Sequence, residues 1–174
     1  MVTLLGAQSS NYGAGHPATK EQIRAWGISV SPDGYGLPPG KGAAVEGKKV
    51  HKLRCAECHG ATGEGGDAAA LVGGFGTLNS SKPLKAVGSY WPYATTLWDY
   101  VDRAMPFDRP GMLTNDQVYS VVAHVLALNK IIEQDAEINQ GSLPKVQMPN
   151  RKGFVPASSV DVDIEPSRPT NSRK

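Results

Sequence analysis

The chain has 174 residues, a length suited to a single domain, with 18 Lys and Arg against 16 Asp and Glu for a net charge of +2. That balance is too small to argue for nucleic acid, and no basic cluster is interleaved with aromatics. No apolar run approaches the roughly 20 residues that span a bilayer, so an integral membrane protein is excluded as well.

Residues 1 to about 44 are rich in Gly, Pro and small polar residues and read as an N-terminal arm ahead of the core. Met1 to Ser10 holds only the short apolar patch Val2-Thr3-Leu4-Leu5, without the charged and apolar regions of an export signal. Within the arm, Ala18 to Trp26 predicts one short helix, capped by Thr19 or a neighbour and ended by Gly27. Leu37-Pro38-Pro39-Gly40-Lys41-Gly42 reads as an ordered loop or linker.

A second helix is expected from Val45, running directly into Cys55-Ala56-Glu57-Cys58-His59. C-x-x-C-H is the attachment sequence for a c-type haem: the two thiols add to the haem vinyl groups, and the adjacent histidine ligates the iron. A C-x-x-C pair also occurs in zinc sites, redox pairs and structural disulfides. Zinc would usually need a second ligand pair, yet the chain has no other cysteine, and His16, His51 and His124 are scattered singly. The cofactor is therefore read as one haem c, covalent through Cys55 and Cys58, with His59 as an iron ligand. Haem c is attached outside the cytoplasmic membrane, so the protein is expected to be periplasmic and the chain to be its mature form.

Behind the motif, Gly60 to Gly66 and Val72 to Gly76 are too glycine-rich for helix and suggest backbone packed over a flat ligand. A third helix is predicted over Thr95 to Arg103, ending at Met105-Pro106. A fourth begins at the Thr114 cap and runs through Val118, Val121, Val122, Val125 and Leu128. From Gly141 the chain becomes an extended segment, and from about Ser158 a tail without periodicity. The expected domains are 1–44, 45–140 and 141–174.

A low-spin electron carrier needs a second axial ligand, and a thioether raises the reduction potential. Met105 is favoured because it follows a helix, precedes proline and lies nine residues before the Thr114 cap. Met148-Pro149 competes, since a chain leaving the last helix could return across the distal haem face, while Met112 reads as packing. Trp91 or Tyr93 could donate a hydrogen bond to a haem propionate, with the remaining aromatics in the core. Arg103 could pair with a propionate, pair with Asp99, or remain solvated.

Gly47, eight residues before the first cysteine, followed by C-x-x-C-H, a candidate methionine loop and a last helix, resembles the class I c-type cytochromes from about Val45 to Leu128. The resemblance implies an all-α monohaem fold in which the glycine permits a close crossing of the first and last helices. In that family aromatics occupy the crossing at the positions that here read His51 and His124, which suggests that the two histidines meet and hydrogen-bond or stack in their place. Gly36-Leu37-Pro38-Pro39-Gly40, Val87 to Tyr100, Arg103 to Asp108 and Met148 to Arg151 further resemble the haem subunits of sulfite-oxidase-like molybdenum enzymes, most closely the haem domain of the Sox sulfane dehydrogenases. Members often carry a second haem domain, whereas this chain has one C-x-x-C-H. The resemblance implies a non-catalytic electron-transfer subunit, with a molybdenum dehydrogenase as donor and another cytochrome or an oxidase as acceptor. Two rival readings remain: a haem enzyme with an open iron position acting on peroxide or a sulfur compound, and an assembly role in which haem is structural.

Overall fold

The computed structural model describes residues 15–155; the apolar patch at Val2 to Leu5 and the tail beyond Ser158 lie outside them. Its elements, in chain order, are α1 (Lys20–Trp26), β1 (Lys41–Ala43), α2 (Ala44–Arg54), α3 (Ala56–His59), α4 (Ala94–Ala104), α5 (Asn115–Leu128), β2 (Glu137–Asn139) and a 3-10 turn (Leu143–Lys145). Among the described residues no helix is long and apolar enough to cross a membrane.

The two helices with sequence-evident caps begin where the caps put them. Thr19 and Thr114 accept from the backbone of Gln22 and Gln117, whose side chains bond back to the cap residue's N–H. Each reciprocal pair satisfies two of the amide donors that a helix start leaves free. α4 has no side-chain cap; instead Ala94, Leu97, Trp98 and Val101 set one apolar stripe at i, i+3, i+4 and i+7 against the core.

α2 and α5 cross at Gly47. A Cβ on Gly47 would lie 1.8 Å from the carbonyl oxygen of Ser120 and 2.8 Å from the Cβ of His124, so the two backbones touch there. One turn further along each helix, His51 and His124 meet edge to face, with ring centroids 5.3 Å apart and planes 60° apart. Both are buried, and the Nε2 of His51 has no hydrogen-bond partner. The pair therefore stacks, as the sequence suggests, and takes the space of the expected aromatics. Burial, reinforced by His51 and Lys48, pushes the His124 imidazole down to about 4, and His51 is lowered chiefly by burial.

The packing runs across both expected domain boundaries. Val30 from the arm and Leu143 and Met148 from the C-terminal segment are buried in the same core as α4 and α5. The Leu37 to Gly42 stretch is tied to the start of α5: Tyr119 donates to the Pro38 carbonyl (2.9 Å), and Asp116 accepts from the Lys41 amide (2.9 Å). β1 then pairs antiparallel with β2, Gly42 opposite Ile138. Strands this short leave no period-two signal, which is why the sequence reading has only helices and loops here. C-terminal to the core, Asn150 donates to the Tyr90 carbonyl (2.8 Å), and Arg151 lies 5.1 Å over the Tyr93 ring. Of the N-terminal arm, α1 stands clear, with Ile23 and Trp26 exposed.

Candidate functional site

α2 breaks at Cys55, whose φ of −124° and ψ of −35° separate it from the single turn of α3. The Cys55 amide still bonds to the His51 carbonyl (2.9 Å), and the His59 amide bonds to the Cys55 carbonyl (2.9 Å). These bonds join the turn to α2 and put the two thiols three residues apart, one helical turn, with His59 next to the second. Cys55 is half-buried and Cys58 exposed, with no disulfide between them. Burial, then the neighbouring Cys58, pushes the Cys55 thiol up to about 11, the opposite of an activated thiolate. Among the described residues no cluster of three His, Cys, Asp or Glu side chains can hold a metal ion. Zinc and thiolate redox chemistry both fit this pair poorly; thioether formation with a flat ligand lying along α3 fits it.

The Nδ1 of His59 lies 2.7 Å from the Ala69 carbonyl oxygen. A carbonyl can only accept, so Nδ1 carries the proton and Nε2 keeps its lone pair for a ligand bond. The glycine-rich loop exists to bring that carbonyl back. Gly65 donates to the His59 carbonyl (2.8 Å), Ala68 to the Cys58 carbonyl (2.9 Å), and Leu71 and Val72 both to the Gly63 carbonyl (2.8 and 3.0 Å). Gly63 has φ +76°, and a Cβ there would press on Val72 at 2.9 Å. Two other glycines permit close approach to protein backbone: Gly66 lies on the Cys58 carbonyl and Gly74 on the Leu84 carbonyl.

The methionines differ in what already surrounds them. Met148 is 3% exposed and belongs to the core cluster with Leu143 and Trp98. Met105 caps the C-terminus of α4, is half-buried, and stands outside that cluster; Met112 is also half-buried, beside Leu113. Arg103 is held by Asp99 on the next turn of α4, its Nε donating over 3.1 Å and its Nη2 closing the second bond. Asp99 raises the Arg103 guanidinium further and also accepts the Val30 amide (2.8 Å), so the pair ties α4 to the arm. Arg103 is thus paired with Asp99 rather than left solvated. Trp91 packs half-buried against the core and edge-on to Tyr100, at 5.8 Å between centroids, while Tyr93 lies under Arg151.

One aromatic expected only to fill the core has a polar atom to spare. Trp98 is 1% exposed, and its indole Nε1–H has no acceptor. A buried donor left unpaired costs about 1–3 kcal/mol. A carboxylate on a bound group would remove that cost. The thiol pair, the free Nε2 of His59, the half-buried apolar side chains of Leu71, Val101 and Leu113, and this donor together fit a covalently held, carboxylate-bearing macrocycle. The sequence reading does not find the Ala69 carbonyl, since a backbone acceptor has no side-chain signature.

The family model described as cytochrome c matches residues 44–129, from the start of α2 to just past the end of α5. In the crystal structure of the sulfane dehydrogenase SoxCD from Paracoccus pantotrophus, one chain is 37% identical over 93% of this chain and 82% of its own length, with a TM-score of 0.80. No curated protein matches.

Proposed function

Because the chain belongs to the class I c-type cytochromes, carries covalent haem c at Cys55 and Cys58 and transfers electrons, we propose that it serves a sulfur-oxidising molybdenum dehydrogenase in the periplasm. It would be that enzyme's haem subunit or its immediate electron acceptor, and would pass electrons to another cytochrome or an oxidase. The observation that carries this reading is the 37% identity across nearly the whole chain, arm and C-terminal segment included, to a chain of a named sulfane dehydrogenase. Segments outside the 44–129 core share that likeness, and those are the parts in which a dedicated subunit differs from a general carrier.

Bound haem supplies the Fe(III)/Fe(II) couple, which takes up and releases one electron at a time. Around it each side chain has a task. Cys55 and Cys58 fix the macrocycle to α3 through thioether bonds. His59 would offer Nε2 to the iron, its ring held and its basicity raised by the Ala69 carbonyl. Met105 would supply a second, thioether ligand: its sulfur is not committed to the core, whereas Met148 is already surrounded by it. The Trp98 indole would donate to a haem carboxylate and so satisfy its own buried N–H. Two strong ligands keep the iron closed to peroxide and favour electron transfer over ligand chemistry.

The test is anaerobic stopped-flow mixing of the oxidised protein with a sulfane dehydrogenase molybdenum subunit and its reduced sulfur substrate. The expected result is haem reduction with one electron per protein, fast relative to mixing with the substrate alone. A protein that dithionite reduces fully but that the dehydrogenase leaves oxidised would refute the assignment.

A further inference from the structure

Asn129 ends α5 and is 1% exposed, yet its side-chain amide is almost fully used. Nδ2 donates to the Leu71 carbonyl (3.0 Å) and to the Val125 carbonyl (2.9 Å), and Oδ1 accepts from the Gly73 amide (3.2 Å). An amide side chain offers two donors and one accepting oxygen, so both ends of Asn129 are engaged. Its position is also locked from outside, because a Cβ on Gly88 would stand 2.2 Å from its Oδ1.

The two loop groups that Asn129 grips lie two and four residues beyond Ala69, the residue whose carbonyl holds His59. The same stretch is also held by the Ala68 amide on the Cys58 carbonyl (2.9 Å), by Leu71 and Val72 on the Gly63 carbonyl, and by the Val87 amide on the Leu71 carbonyl (3.2 Å). The carbonyl of Ala69 therefore sits on a short bridge whose near pier, Ala68, rests on Cys58, and whose far pier, Leu71 to Gly73, rests on Gly63, Val87 and the side chain of Asn129, the C-cap of α5. α5 crosses α2 at Gly47, and α2 leads into Cys55, so Asn129 ties the frame that carries the thiols to the acceptor that orients the histidine.

We propose that Asn129 is a positioning residue for the ligand histidine: by fixing the far side of the bridge at Leu71 and Gly73 it adjusts the length of the His59 to Ala69 hydrogen bond and, through it, the reduction potential. The inference rests on His59 being an iron ligand. A short Nδ1–H to carbonyl bond gives the imidazole more anionic character, which favours Fe(III) over Fe(II). Loosening the loop lengthens that bond, weakens the donor character of Nε2 and moves the equilibrium toward Fe(II).

The experiment compares four holo-proteins: the parent, Asn129→Ala, Gly88→Ala and Ile138→Ala. Gly88→Ala keeps the Asn129 side chain but displaces it, and so reports even if Asn129→Ala fails to fold. Ile138→Ala is a control that lowers stability from β2, away from the loop. The readouts are the midpoint potential by spectroelectrochemistry and the hydrogen exchange of the His59 Nδ1 proton by NMR in the reduced state. Both loop variants should keep the low-spin spectrum, exchange that proton faster, and shift the Fe(III)/Fe(II) equilibrium toward Fe(II) by up to about tenfold, ~59 mV for one electron. Ile138→Ala should melt earlier with potential and exchange unchanged. If the loop variants lose stability but keep the parent's potential and exchange, Asn129 is a structural cap only and the proposal fails. Should His59 not be the ligand, the failure is distinct: the parent itself would lack a low-spin histidine-ligated spectrum.

Discussion

Replacing Gly47 with alanine tests whether the α2–α5 crossing has the backbone contact described above. The new Cβ would lie 1.8 Å from the Ser120 oxygen, 2.4 Å from its carbonyl carbon and 2.8 Å from the His124 Cβ. Real Cβ atoms essentially never approach within 3.0 Å, so the helices must part by roughly 1.2 Å or more in a close-packed interior. The atoms met are backbone, which cannot rotate aside, so the cost falls at the upper end of the 1–3 kcal/mol typical of overpacking, about 3 kcal/mol. Alanine regains about 1 kcal/mol of helix propensity over glycine. The net loss is about 2 kcal/mol, which lowers Tm by about 4–8 °C for a chain of this size. Thermal unfolding followed by far-ultraviolet circular dichroism of the holo-protein measures it. A Tm equal to or above the parent's, as an uncrowded helical glycine would give, would refute the crossing geometry.

Three further outcomes follow from named contacts. The His124 imidazole is neutral when folded, with a pKa of about 4, and protonates in the unfolded chain near 6.5, so the unfolded state binds the extra proton between those values. Stability should fall as pH drops from 6.5 toward 4, by at most about 3 kcal/mol from this residue. In His124→Phe the urea midpoint should vary less over that window, and an identical slope in both proteins would contradict the buried pair. Asp99→Ala orphans the Val30 amide and frees Arg103, at a cost of about 2 kcal/mol, while Asp99→Asn keeps an acceptor for Val30 and costs about 1 kcal/mol. Equal urea midpoints for these two variants would mean that the Val30 bond contributes nothing. Trp98→Phe removes a buried donor that has no acceptor among the described residues, and should change the titration of a haem carboxylate in the pH dependence of the midpoint potential; an unaltered profile would mean that the indole faces no such group.

What could be read from the sequence was what short-range chemistry encodes. Thr19 and Thr114 announce helix starts because a cap acts on amides three residues away. Cys55, Cys58 and His59 announce haem because attachment needs that spacing, and Gly47 with His51 and His124 announces the crossing through a family pattern. Long-range partners were less legible. Nothing local in Lys41 to Ala43 or Glu137 to Asn139 says that they pair, and nothing in Ala69 says that its carbonyl meets a histidine ten residues earlier. From the sequence Arg103 was as readily solvated as paired with Asp99, and burial of Asp99 beside it favours the pair. Composition made residues 28–44 and 143–148 look like arms, yet Val30, Leu143 and Met148 complete the core. Glycine and proline in those stretches shape turns that return to the core as readily as they lead away from it.

The most direct test of the account is the visible and near-infrared spectrum of the purified oxidised protein, beside Met105→Ala and Met148→Ala. The account predicts a low-spin haem c with the long-wavelength methionine-to-iron band, lost in Met105→Ala and kept in Met148→Ala, where only stability falls, by about 2–5 kcal/mol for a buried methionine. Loss of the band in Met148→Ala alone, or a high-spin parent that binds carbon monoxide readily, would contradict a His59 and Met105 electron carrier.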